Sequence, residues 1–438
     1  MLGGIPMLKS FKITNAYSFF EECEVTMVAT NILAHKYSLI TSKTNKHVPE
    51  GVSLLPALSI YGANASGKTN LLRALLFIFE AINRGSDNSF VSNAILNTLF
   101  TKAKNSAAKN EATENEPTKL ELVFYLNKDE YRLRFEVFLS RFEIETLEQR
   151  KNSKGRWLNI YRRNWNFKTD TWELNVGTTV SGTMRDEIKY VHSMETENKS
   201  LLLHALCKRK KKETVFASLA LWTSGFNEMK MPASQLISQG TVLTTHEKNP
   251  HLKILNDKLY KMQILDFVKF MSPNIKDYVF DENKNEDKNR FNLSLSFEYD
   301  IIATNNQVNF DKILSHYESR GVYSAMTLLP SVFQALHEGG LVIADELENS
   351  LHPLLMLRVI NLFNDPEINK GGGQLIFTTH NALIMDKRYL RKDQIGFTEK
   401  NQEGHSEFYK LSDIDGVRSD LDFSKNYILG AFGAVPEV

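Results

Sequence analysis

Residues 59–70 read Ser59-Ile60-Tyr61-Gly62-Ala63-Asn64-Ala65-Ser66-Gly67-Lys68-Thr69-Asn70, and this stretch decides the fold. It fits the pattern G-x-x-x-x-G-K-[ST], with its fixed positions at Gly62, Gly67, Lys68 and Thr69. The apolar run 54–60 before it predicts a buried strand, and the amphipathic run 68–84 after it predicts a helix that ends at Gly85. A strand, a glycine-containing loop and a helix are the context in which this motif binds phosphate.

This context predicts a nucleotide site for a physical reason. Glycines let backbone N–H groups curl around phosphate oxygens, and the helix N-terminus adds partial positive charge. We expect Lys68 to reach the β- and γ-phosphates of ATP, and the Thr69 hydroxyl to complete the shell of Mg²⁺. Asn64, Ser66 and Asn70 are the further residues of the motif that we expect at the nucleotide.

Two apolar runs late in the chain, 341–344 and 375–377, end in polar residues that suit the same site. In a P-loop fold, Asp345 would lie near Mg²⁺, and Glu346 would lie beside the γ-phosphate, where it can orient or deprotonate a water. His380 follows the next strand and could contact the γ-phosphate. Each has a structural alternative, because strands often end in acidic turn residues and a lone histidine is more often a structural hydrogen-bonding residue.

Composition excludes several classes of protein. The 438 residues have room for about two domains or one large, elaborated one, and 42% hydrophobic with 24% charged residues is ordinary for a globular protein. A net charge of +1 creates no overall electrostatic attraction to nucleic acid or to a membrane surface. Cys23 and Cys207 cannot form a disulfide scaffold or a metal cluster and suit a reducing cytoplasm. We find no signal peptide or membrane-spanning run, and we expect a cytoplasmic protein.

Hydrophobic patterns along the chain predict an α/β fold whose nucleotide-binding domain is split. Alternation in 120–125 and 131–137 predicts a hairpin, which continues as an antiparallel β wing in one mixed sheet with the N-terminal strands. From 186 to about 280 the spacing is helical, and strict alternation resumes at 291. We therefore predict three parts: 1–185 with the P-loop and β wing, 186–290 as a helical insertion that forms a short arm or dimerisation region, and 291–438 as the C-terminal part of the ATPase domain.

Two motifs are weaker. Glu318-Ser319-Arg320-Gly321 precedes a predicted helix over 322–336, and a serine and a glycine at a helix start can hold an anion. The run Lys208-Arg209-Lys210-Lys211-Lys212 is the concentrated positive patch of the sequence. Our default interpretation is a solvated helix end, and the alternative is a contact with a phosphate backbone or a partner.

The order of these motifs resembles the ABC-type ATPases of the SMC and double-strand-break-repair class. It resembles more closely the AAA-labelled bacterial ATPases related to the OLD nucleases. The residues that carry the resemblance are 61–70, Glu318-Ser319-x-Gly321, 345–353, 377–381 and 427–436. The resemblance covers most of the chain and is weakest over 186–280.

The resemblance implies roles that the spacing alone does not. Ser319 and Gly321 would form the signature motif, which contacts the γ-phosphate of ATP bound to a second subunit, so that two subunits sandwich two nucleotides. Glu346 would be the catalytic base and His380 the switch histidine, with Asp345 and Thr69 at Mg²⁺. Arg320 departs from the smaller or acidic residue usual at its position, and no glutamine between 97 and 119 fills the Q-loop role. We therefore expect ATP binding with slow hydrolysis.

By resemblance, such ATPases belong to two-gene phage-defence or abortive-infection systems of the PARIS and AbiL type. There the ATPase senses infection, with a phage protein as the trigger, or scaffolds a separate toxic effector, often a nuclease. Residues 391–438 are too few for a C-terminal toprim nuclease domain, so we expect any nuclease to act in trans. The alternative is an SMC-like, DNA-engaging ATPase for repair or chromosome maintenance, which salt-dependent DNA binding would favour. The nucleotide subunit of a membrane transporter fits poorly.

Overall fold

A computed structural model describes residues 4–85, 116–138, 141–197, 200–209, 214–224, 243–245, 257–285, 290–299, 313–314, 320–349, 351–418 and 421–436. The P-loop strand belongs to a five-stranded sheet with the order β15-β16-β5-β17-β18. Its strands are β5 (Ala57–Tyr61), β15 (Leu341–Ala344), β16 (Gln374–Thr378), β17 (Ile395–Lys400) and β18 (Ser406–Lys410). The first four pair in parallel, so their carboxyl ends meet at one edge, and β18 is antiparallel to β17.

A second, seven-stranded sheet is antiparallel throughout and has the order β10-β9-β8-β7-β6-β1-β2. Its strands are β1 (Met7–Thr14), β2 (Cys23–Thr26), β6 (Thr118–Leu126), β7 (Asp129–Phe138), β8 (Arg141–Arg150), β9 (Leu158–Asn166) and β10 (Thr171–Val176). The predicted hairpin is confirmed as β6 and β7. The prediction of one mixed sheet is wrong, because the P-loop strand lies in the other sheet.

The remaining described strands are short or lie late in the chain: β3 (Ile40–Thr41), β4 (Ser53–Leu54), β11 (Leu243–Thr245), β12 (Ile275–Asn285), β13 (Arg290–Tyr299) and β14 (Ile313–Leu314). The predicted continuous strand over 54–60 is wrong, since Pro56, which has no N–H to donate, separates β4 from β5. The helical pattern predicted to about Phe280 is also wrong beyond Ile275, where β12 begins and pairs with β13.

The described helices are α1 (Lys68–Arg84), α2 (Gly182–Met194), α3 (Leu202–Lys208), α4 (Val215–Ser224), α5 (Lys258–Met271), α6 (Arg320–Glu338), α7 (Pro353–Asn364) and α8 (Phe423–Ile428). The prediction for α1 is confirmed, with Gly85 directly after its last residue. No helix in the described ranges is long and apolar enough to cross a membrane.

The P-loop sheet lies between two hydrophobic cores. The first core joins it to the antiparallel sheet and to α1–α4, and includes Phe11, Leu75, Phe124, Leu203 and Trp222. The second core joins it to α5–α8, and includes Ile264, Leu329, Met356 and Phe423. Along β5, Leu58 and Ile60 face the first core while Ala57 and Tyr61 face the second. Burial on both faces explains the largely apolar sequences of β5, β15 and β16.

Helix α2 begins just before the predicted insertion and extends into it, and α3 and α4 lie within it. All three helices share the first core with α1. Ile188 of α2, Leu203 of α3 and Leu219 of α4 are all buried there. In its described part, the beginning of this stretch is therefore packed onto the P-loop domain. The boundaries 1–185, 186–290 and 291–438 stay a prediction.

Candidate functional site

The P-loop runs from the end of β5 to the start of α1 and depends on glycine at two places. Gly62 and Gly67 have φ values of +155° and +115°. A Cβ atom on Gly62 would lie 2.4 Å from the carbonyl oxygen of Thr398, and one on Gly67 would lie 2.5 Å from Ser406 Oγ. Any side chain at these positions would displace β17 or β18, so the glycines are required by close packing as well as by backbone conformation.

Lys68 lies at the base of this loop with only 6% of its surface exposed. Its Nζ donates hydrogen bonds to the carbonyl oxygens of Gly62 and Ala63, each at 2.9 Å. Burial lowers the pKa of the Lys68 ammonium, and the carboxylates of Asp345, Glu346 and Glu348 oppose that shift. The loop therefore holds a cationic donor where the motif places phosphate.

Asp345 joins α1, β15 and β16 at the sheet edge. Thr69 Oγ1 donates to Asp345 Oδ2 at 2.9 Å, and Thr378 Oγ1 donates to Asp345 Oδ1 at 2.6 Å. The structure thus brings together Thr69 and Asp345, the two predicted Mg²⁺ ligands. A hydroxyl and a carboxylate are the hard oxygen ligands that Mg²⁺ prefers, so this donor set fits the ion.

Glu346, the predicted base, directly follows Asp345 in a left-handed backbone conformation with φ at +50°. Its backbone N–H donates to Thr378 Oγ1 at 2.7 Å, and its side chain is half-buried. A non-glycine residue in this conformation is uncommon and persists where its surroundings hold it. The turn therefore directs Glu346 away from the strand and is tied to the neighbouring strand by one hydroxyl.

His380 has an exposed side chain, and its backbone N–H donates to Glu348 Oε1. The other oxygen of Glu348, Oε2, is buried and has no hydrogen-bond partner within the described part of the chain. Three carboxylates, those of Asp345, Glu346 and Glu348, thus act on the Lys68 ammonium. His380 is linked to this acidic group through its backbone.

The other predicted nucleotide residues are positioned as follows. Ser66 Oγ lies 2.7 Å from Thr398 Oγ1, while Asn64 is exposed at the loop tip. Asn70 Nδ2 donates to Ser18 Oγ at 3.0 Å and therefore faces the N-terminal turn. Gly321 lies in the first turn of α6, which packs chiefly against α5 and β15. Ser319 lies outside the described residues, so its predicted role stays a prediction.

Tyr61, the last residue of β5, lies in an aromatic cluster with the C-terminal segment 427–436, which carries part of the resemblance. The Tyr427 ring stacks on Phe397 at 5.6 Å between centroids and meets Tyr61 edge-on at 5.7 Å. The Tyr427 hydroxyl donates to the carbonyl oxygen of Ala434 at 3.2 Å. This ending therefore supports the strand that leads into the P-loop.

Sequence reasoning missed three hydroxyl groups of the site, those of Thr378, Thr398 and Ser18. The polar end of β16 was a signal for Thr378, although the signal did not indicate its partners. Thr398 lies inside a buried strand. Ser18 contacts Asn70 directly and also accepts from Ser406 Oγ at 2.7 Å, across 388 residues of sequence. No local pattern marks such a contact.

Comparison with known proteins gives one family. Residues 58–386 match the family model described as "AAA domain, putative AbiEii toxin, Type IV TA system". None of the curated proteins matches this sequence.

Three solved structures of SMC heads are similar over most of the chain. One is the SmcHead bound to the C-winged helix domain of ScpA, at 13% identity and a TM-score of 0.40, covering 92% of this chain and 97% of that one. The SMC head domain from Thermotoga maritima has 12% identity and a TM-score of 0.37, covering 92% and 98%. The Smc head domain with a coiled coil and joint derived from Pyrococcus yayanosii has 10% identity and a TM-score of 0.41, covering 98% and 100%.

Proposed function

We propose that this chain, which belongs to the AAA-domain family matched over residues 58–386, binds ATP with Mg²⁺ and hydrolyses it slowly. The observation that carries this proposal is the meeting of Thr69, Thr378 and the Asp345 carboxylate beside the P-loop. Family membership supports ATPase activity, and the oxygen donors at the sheet edge support use of the metal.

Each residue of the site has a task in this proposal. Lys68 and the N-terminus of α1 bind the phosphates, and Thr69 with Asp345 would hold Mg²⁺, which neutralises phosphate charge when it is bound. Glu346 takes a proton from the attacking water or orients that water. His380 lies just beyond the end of β16 and would contact the γ-phosphate.

We further propose that the ATPase self-associates and controls a separate toxic effector, a nuclease, in antiviral defence in the cytoplasm. Two subunits would enclose ATP, with Ser319 and Gly321 of one subunit facing the nucleotide of the other. A phage protein would be the trigger. The description of the matched family, which names a toxin and a toxin–antitoxin system, supports a role in such a two-component system.

The experiment for this proposal is a pull-down from the native host with tagged Glu346→Gln protein in the presence of ATP. Because loss of the base should leave ATP binding intact, this variant is expected to stay associated and retain its effector. Tagged Lys68→Ala protein is the matched control, since it lacks the buried cation that binds phosphate. Mass spectrometry identifies the captured proteins.

We expect Glu346→Gln, and not Lys68→Ala, to capture a nuclease or toxin encoded by a neighbouring gene. Capture of chromosomal DNA with repair proteins, and of no such effector, would contradict the defence role. That result would favour the SMC-like, DNA-engaging alternative.

A further inference from the structure

Thr378 is the last residue of β16, and its side chain is fully buried at the edge of the P-loop sheet. Its hydroxyl makes two hydrogen bonds with opposite roles. It donates to Asp345 Oδ1 at 2.6 Å and accepts from the backbone N–H of Glu346 at 2.7 Å. One oxygen atom therefore holds both the predicted metal ligand and the predicted base.

The two bonds determine how the acidic turn is oriented. Thr69 Oγ1 lies 2.9 Å from Asp345 Oδ2 and 3.3 Å from Oδ1, the oxygen that Thr378 also engages. The bond to the N–H of Glu346 lies at the residue whose φ is +50°. A hydrogen bond to a charged group contributes more than a neutral one, and it acts here in a largely buried setting.

We propose that Thr378 is a positioning residue of the ATPase, acting through Asp345 on the metal and through Glu346 on the attacking water. This inference rests on the proposed function, because it assigns a role within the same reaction. A valine at 378 would fill nearly the same volume and keep the strand, but it could neither donate to Asp345 nor accept from Glu346.

The test measures ATP affinity with Mg²⁺ and with EDTA, together with steady-state hydrolysis, for the wild type and for Thr378→Val. In EDTA we expect the two proteins to bind ATP alike, since Lys68 and the loop are unchanged. Addition of Mg²⁺ should strengthen ATP binding less in the variant, and kcat should fall about 10- to 100-fold with KM for ATP changed much less. Thr378→Ser retains the hydroxyl and should recover most of both losses.

Thr223→Val is the matched control. Thr223 is equally buried, on α4, and its hydroxyl donates to the carbonyl oxygen of Leu219 at 2.9 Å, so the variant removes a buried hydroxyl outside the site. We expect it to lower the melting temperature without changing the response to Mg²⁺. Thr378→Ala repeats the test if the valine does not fold.

Wild-type kcat and Mg²⁺ response in Thr378→Val would overturn the positioning role, and so would failure of both the valine and the alanine variants to fold. A different result separates this inference from the proposed function. If the wild type binds ATP no better than Lys68→Ala, with or without Mg²⁺, the ATPase proposal itself fails, and the role of Thr378 fails with it.

Discussion

The site is built from single side chains whose polar atoms have fixed partners. Lys68 donates to two loop carbonyls, Asp345 accepts from two threonines, and Ser66 contacts Thr398. A triphosphate carries more charge than a carbonyl oxygen, so it is the stronger acceptor for the Lys68 ammonium. Binding is therefore expected to exchange acceptors around a cation that is already in place, rather than to recruit one from solvent.

Burial of His47 predicts that the free energy of unfolding depends on pH. It is 4% exposed, its Nδ1 accepts the backbone N–H of Asn127 at 2.9 Å, and burial, assisted by the charge of Lys46, lowers its pKa to about 4. Well above pH 6.5 the imidazole is neutral in both the folded and the unfolded chain. As the pH falls towards 4, the unfolded chain binds a proton that the folded chain does not, so the free energy of unfolding falls.

We therefore expect His47→Gln to show less loss of stability between pH 6.5 and pH 4 than the wild type. The difference should be roughly 2–3 kcal/mol in the free energy of unfolding, because that is the linkage expected for a shift of this size. Urea unfolding at several pH values measures it. Equal pH dependence in the two proteins would show that His47 does not titrate in this way.

At the residue scale, the sequence supplies predictions for the site where a motif is local. The P-loop, Asp345, Glu346 and His380 follow from strand ends and from fixed spacing. Thr378 acquires its partners only because β15 pairs with β16 in a register that sets Ala344 opposite Phe377. Such a contact depends on the relative position of two strands, which no single stretch of sequence specifies.

Elements of the antiparallel sheet are held to the helices by a buried carboxylate. Glu145 of β8 is fully buried and pairs with Arg163 of β9 at 2.7 Å. The same carboxylate accepts the Tyr161 hydroxyl at 2.6 Å and the backbone N–H groups of Leu202 and Leu203 at 2.8 and 2.9 Å. It thus caps the start of α3 and fixes that helix to two strands.

Glu145→Ala is expected to destabilise the protein by about 3–5 kcal/mol, because it leaves the fully buried Arg163 without its carboxylate. Chemical unfolding followed by circular dichroism measures this change. Glu50→Ala is the control, since Glu50 forms an ion pair with Lys128 while 84% of its side chain is exposed. We expect that control to change stability by less than about 1 kcal/mol. If Glu145→Ala lowered stability by no more than this control, the bridging role of Glu145 would be contradicted.

Element type is predictable where the local pattern and the tertiary pairing agree. The alternation of β6 and β7 and the spacing of α1 gave correct predictions. In β12 the buried Ile275 and Tyr278 stand three residues apart, which is helical spacing, and pairing with β13 decides in favour of a strand. Pro56 likewise divides a run that hydropathy alone joins.

At the scale of the whole molecule, N-terminal segments of the chain contact its last quarter at the P-loop sheet. Leu8 of β1 and Gln374 of β16 hydrogen-bond to each other through the Gln374 side chain, at 2.8 and 3.0 Å. Arg391 is buried, with 1% of its surface exposed, and forms an ion pair with Asp393. Its guanidinium also donates hydrogen bonds to the carbonyl oxygens of Thr30, Ile32 and Ala34. The N-terminal segments are therefore fixed to this sheet at the amino ends of β16 and β17, opposite the edge that carries the P-loop.

The measurement that tests the central claim most directly compares ATP binding and steady-state ATP hydrolysis in the wild type and in Glu346→Gln. With Glu346 as the base and Lys68 as the phosphate-binding cation, the variant should bind ATP nearly as well as the wild type. Its kcat should fall by about 100-fold or more, as expected for loss of general-base catalysis. Lys68→Ala should lose binding. If Glu346→Gln hydrolyses ATP at the wild-type rate, the assignment of the base is wrong.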